Sequence, residues 1–192
     1  RHSIDDMPSS FLDLAQALKW WEVVQHHLSH HLLDDDEVSA ETWEEALSKL
    51  KRWHNTFAML YWNAQQHREK NQNNYISASI LEALYLESLS SLYRQHVADS
   101  TVLPDARPVY RNIVQTVRVM RDQARATPGG AYVMDTLIMH PLAVVLFKCR
   151  DANVRQMVRE LLEETADISE LAVALLAMMD AKEGSQARGK MN

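Results

Sequence analysis

The chain has 192 residues, 46% of them hydrophobic and 24% charged, with four glycines, five prolines and a formal net charge of −6. That length buries a core without disulfides or metals, and so few turn residues disfavour a many-stranded β fold. The acidic balance argues against non-specific binding to DNA or anionic membranes, and a single cysteine, Cys149, excludes an internal disulfide and fits a reducing compartment.

Ser9 and Ser10 are candidate caps for a first helix ending near Leu33, with Phe11, Leu14, Leu18, Trp21, Val24 and Leu28 stepping by three and four. The acidic run Asp34 to Glu37 ends it, and Ser39 caps a second helix that reaches about His67. The polar segment Arg68 to Asn74 reads as a loop before a third helix from Tyr75 to Val97. After a loop containing two prolines, a fourth helix is expected from Val109 to Ala126, stopped by Thr127-Pro128-Gly129-Gly130.

Tyr132 to Phe147 follows, and Pro141 within it predicts a kink or two short helices. Asp151 is placed to cap a helix from Ala152 to Glu164, and Asp167 or Ser169 to cap a last one ending near Lys182. The pattern predicts an all-α fold, a compact bundle or stacked antiparallel helix pairs of about seven helices. One domain over 1–183 and a flexible tail over 184–192 are expected. No apolar run approaches the ~20 residues needed to span a bilayer, so a soluble chain is expected; beginning at Arg1, it reads as an excised fragment without a secretion signal.

Several patterns suggest chemistry, and each has a plainer reading. His26/His30 and His27/His31 stand at the i,i+4 spacing of metal-ligand pairs, but the zincin pattern requires a glutamate after the first histidine. A partly exposed polar helix face is expected instead. The acidic run at 34–37 resembles the magnesium site of helical terpene cyclases, yet the second motif fails at Leu81 after Asn73 and Ser77. Arg111, Arg118, Arg121 and Arg125 share one helix face and are expected to pair internally, with Glu160, Glu163, Glu164 or the acidic loop, or across a subunit interface, rather than with nucleic acid. Trp53 and Phe57, one turn apart, are core candidates and the first positions to probe for a small-molecule pocket. No nucleophile elbow or phosphate-cradling glycine loop occurs, and Cys149 is expected to be an inert buried thiol. No enzyme is expected, and no catalytic, cofactor or metal residue is assigned in this chain.

The segment Leu142 to Arg155, with Cys149-Arg150-Asp151 between an apolar helix and one that carries Arg155 near its start, resembles a stretch near the C-terminus of fungal six-cysteine zinc-cluster transcription factors. Phe11 to Leu18, Arg52 to Phe57 and the helix Ile80 to Leu92 occur in a similar order. The family often has a Gly-Leu-Trp-like stretch after this helix, where Thr165-Ala166-Asp167-Ile168 stands here. The resemblance implies a nuclear α-helical regulatory region that mediates protein interactions, as a homodimer or with other transcriptional regulators. Control of secondary metabolism is the implied output. Zinc and DNA contact would belong to an N-terminal domain absent from this chain. A helical module that binds a pathway metabolite is the alternative.

Overall fold

The computed structural model describes residues 4–33, 40–96, 103–126, 138–167 and 169–189, and among these every regular element is helical. A 3-10 turn at Ile4–Asp6 precedes seven α-helices: α1 Leu14–Leu33, α2 Ala40–Gln66, α3 Gln72–His96, α4 Arg107–Arg125, α5 Met139–Lys148, α6 Ala152–Glu163 and α7 Glu170–Gly189. The all-α reading is correct. The chain divides into two compact units, Arg1–Val109 and Tyr110–Asn192.

In the first unit α1, α2 and α3 pack against one another, and the 3-10 turn packs on α1. The short connection 67–71 makes α2 and α3 antiparallel neighbours. Their shared core is aromatic: Trp53 and Phe57 are wholly enclosed, with Trp21, Phe11 and Tyr85 around them. Indole nitrogens there find backbone partners, Trp53 Nε1 donating to the carbonyl of Ala17 at 3.1 Å and Trp43 Nε1 to that of Leu92 at 3.1 Å. These bonds let tryptophan serve as a core residue without leaving a buried donor unpaired.

In the second unit α5, α6 and α7 pack together, and α4 contributes Ile113, Val114 and Val117 as buried side chains. Polar and apolar residues segregate sharply on α4 and α6, but α7 carries only apolar residues from Leu171 to Met179 and a largely polar stretch from Asp180 on. No described helix is long and apolar enough to cross a membrane.

Helix starts follow capping chemistry more closely than hydrophobic period. α1 begins after Asp13, not after Ser9 or Ser10, because the Asp13 carboxylate accepts from the Gln16 amide at 2.7 Å. The Gln16 side chain accepts in return from the amide of Leu12 at 2.7 Å, a reciprocal arrangement close to a capping box. α3 starts at Gln72, inside the polar segment assigned to a loop, since Asn71 caps it through the amide of Asn74 at 3.1 Å. Pro108 and Pro141 fall in the first turns of α4 and α5, where the missing amide costs nothing. The part of the predicted Tyr132–Phe147 helix before Ile138 lies outside the described residues, as do Ser39 and the acidic run 34–37. Ser169, not Asp167, caps α7 by accepting from Ala172 at 3.1 Å, and that helix continues to Gly189, beyond the predicted stop near Lys182.

Candidate functional site

The residues that carry the Cys-Arg-Asp pattern form the turn between α5 and α6. The amide of Cys149 closes α5 by donating to the carbonyl of Val145 at 2.8 Å, and its side chain is buried. Asp151 is extended, at φ −70° and ψ 123°, and its carboxylate accepts from the amide of Val154 at 2.9 Å. One of the orphan donors at the start of α6 is thereby satisfied. Arg150 is exposed and Arg155 half-buried, and neither makes an ion pair with a described residue. Asp151→Ala is expected to lower stability by about 0.5–2 kcal/mol, read as a lower urea midpoint with unchanged slope.

Trp53 and Phe57 do not wall a pocket. Their rings stack at 4.8 Å between centroids, with Trp21 4.7 Å from Trp53, which leaves no room between them for a ligand. Two open clefts on the first unit lie elsewhere. One of about 780 Å³ runs between the N-terminal segment at Met7 to Ser9 and α2 at Lys51, Arg52 and Asn55. The other, about 700 Å³, lies among Leu12, Leu60, Asn63, His67, Lys70 and Asn74. Arg52 is a strut of the first cleft, donating to the carbonyl of Met7 at 2.8 Å and to that of Asp5 at 3.3 Å.

A polar cluster that sequence reading missed sits between α2 and α3. His54 Nε2 and Glu82 Oε2 are 2.9 Å apart, and the imidazole lies flat on the Tyr85 ring, centroids 3.9 Å apart and planes 7° from parallel. Burial pushes the Tyr85 phenol above its ordinary value, and the Glu82 carboxylate adds to the shift. The same two effects raise the Tyr61 phenol, against which the Gln65 side chain and the Ser79 hydroxyl pull. Ser79 Oγ is enclosed without a well-directed hydrogen-bond partner. The only sequence signal for this cluster was a histidine and a glutamate on neighbouring helices, too common to single out. In the fold they favour one register of α2 on α3, because a misaligned Glu82 would remain buried without its partner.

The arginine stripe of α4 meets the end of α6. Arg121 is buried and pairs with Glu164 and, at 2.7 Å, with Asp122. Arg125 donates to the Glu164 carbonyl and to Asp167 Oδ1 at 3.1 Å. Burial opposes the charge on Arg121, but its hydrogen bonds to Glu164 and Asp122 outweigh that and raise its affinity for the proton. Hydrogen bonding to Arg121 holds the Glu164 carboxyl below the usual range, with the charges of Arg118 and Arg125 adding to the effect. Of Glu160, Glu163 and Glu164, it is Glu164 that pairs with the stripe, the acidic run 34–37 lies outside the described residues, and Arg111 at the other end of the stripe is exposed.

Comparison with family models, with curated proteins and with solved structures returns no match. The site is therefore defined by its own geometry. Among the described residues no three histidine, cysteine, aspartate or glutamate side chains gather as metal ligands. His27 is 2.7 Å from Lys49 Nζ, while the side chains of His30 and His31 lie outside the described residues. What the described surface offers is contact area: Met59 and Trp62 stand out on α2, and Leu171, Val173 and Met178 on α7.

The sign of the Glu164 shift sets an acid-pH behaviour. A carboxyl whose folded pKa is depressed stabilises the fold above its unfolded value, and that contribution is lost as pH falls through the folded pKa. Lowering the pH below about 4 should thus cost the native chain more than a Glu164→Gln variant. Urea midpoints of both proteins at neutral and acid pH check this, and salt should narrow the gap because Glu164 is half-exposed.

Proposed function

We propose that this chain is the regulatory, or effector, region of a fungal zinc-cluster transcription factor. It acts in the nucleus as a helical support for contacts with a second copy or with other regulators, and DNA is read by a separate zinc-cluster domain. The observation that carries the reading is the Cys149-Arg150-Asp151 turn. Its cysteine faces the interior, its aspartate caps the next helix, and Arg150 is left at the surface. A buried thiol and a helix-capping carboxylate at the first and third positions of this turn support the reading.

The exposed apolar side chains of α2 and α7 agree with a surface made to be covered. Metabolite binding at Trp53 and Phe57, the alternative, has no support from their packing. The test is the coding sequence upstream of Arg1. Six cysteines with binuclear-cluster spacing support the proposal, and an upstream reading frame without them overturns it.

A further inference from the structure

α2 buries Ala46, Leu50, Trp53, Phe57 and Ala64 on one stripe. About half a turn round the helix, Asn55, Met59, Trp62 and Gln66 form the opposite stripe, separated by steps of four, three and four. All four are exposed, Met59 at 72% and Trp62 at 59%. An exposed tryptophan one turn from an exposed methionine is the side-chain chemistry enriched at the centres of protein interfaces.

Charge is distributed unevenly along the same helix. Residues 41–54 hold six charged side chains, and residues 55–66 hold none. In a chain of net charge −6, two copies repel one another overall, and an uncharged stripe lets them meet without opposing like charges.

The order of the stripe also selects its partner. Asn55 lies as far before the middle of the Met59 and Trp62 pair as Gln66 lies after it. A two-fold axis at that middle, with two α2 helices antiparallel, sets Met59 against Trp62 of the partner subunit and Asn55 against Gln66 of the partner subunit. A carboxamide both donates and accepts, so Asn55 and Gln66 can pair across such an axis without a charge on either. A thioether against an indole is likewise a favourable contact. Self-complementarity of this kind is what an isologous interface requires, and nothing requires it of a surface that meets a different protein.

We propose that the outward face of α2 around Met59 and Trp62 is the interface with a second copy of this chain. The inference deepens the assembly part of the transcriptional reading, yet it stands on the α2 surface alone, and a monomer would overturn it without touching the upstream-cysteine test. Sedimentation equilibrium of the full chain should give a dimer that persists at high salt, because its contacts are uncharged. Trp62→Glu should weaken association roughly thirtyfold or more, the scale of losing an interface anchor. Met59→Lys should act alike. Both positions are exposed, so circular dichroism should show native helix content; if one variant fails to fold, the other carries the test. A chain that is monomeric at every concentration, or a dimer that a folded variant leaves intact, overturns the proposal.

Discussion

Trp53→Ala is expected to lower the stability of the first unit by about 3–5 kcal/mol, the cost of deleting a large enclosed aromatic side chain. Three losses combine at this position. The indole is wholly buried, so its removal leaves a cavity that Phe57, Trp21 and Tyr85 cannot fill without leaving their own packing. The carbonyl of Ala17 loses the indole donor that ties α2 to α1. Ring contacts, worth about 0.5–1.5 kcal/mol per pair beyond area, disappear as well. Urea unfolding followed by circular dichroism checks the size. Trp53→Phe should recover part of the packing and none of the hydrogen bond, and so fall between native and alanine. If Trp53 instead walled a ligand pocket, alanine would cost little stability, and that outcome would remove the packed-core account.

Much of this fold was legible because its helices are strongly patterned. Trp53, Phe57 and Leu50 fall on one face of α2 at steps of three and four, and that face is buried. Asp151 was readable as a cap from its position before Ala152, and the carboxylate does accept from Val154. The errors at helix starts have one cause. Period locates a helix interior, whereas the first turn is fixed by whichever nearby side chain satisfies the free amides. Asp13 and Asn71 do so, although each lay inside a stretch that period alone assigned otherwise. The internal pairing of the arginine stripe was legible in kind, but Glu164 could be chosen over Glu160 and Glu163 only once the end of α6 was seen beside α4. The His54 and Glu82 pair was illegible, because residues 28 apart in sequence meet only after α2 and α3 are set in register.

A helical stretch that is apolar all round defeats periodicity, and Leu171 to Met179 of α7 is the case in this chain. Leu175 and Met178 are three residues apart in one unbroken apolar run, so the alternation of polar and apolar residues does not rank them. The fold ranks them sharply: Leu175 is 4% exposed and Met178 is 51% exposed. Leu175→Ala should therefore cost about 2–5 kcal/mol, since it deletes packed methyl groups and leaves a cavity against the neighbouring helices. Met178→Ala should change stability by no more than about 0.5 kcal/mol, because its side chain already meets water and alanine is the better helix former. Urea midpoints for the two variants, measured side by side, decide the matter. Similar losses at both positions would mean that the outer face of α7 is also packed in solution, and the surface now open at Leu171, Val173 and Met178 would then be an interior.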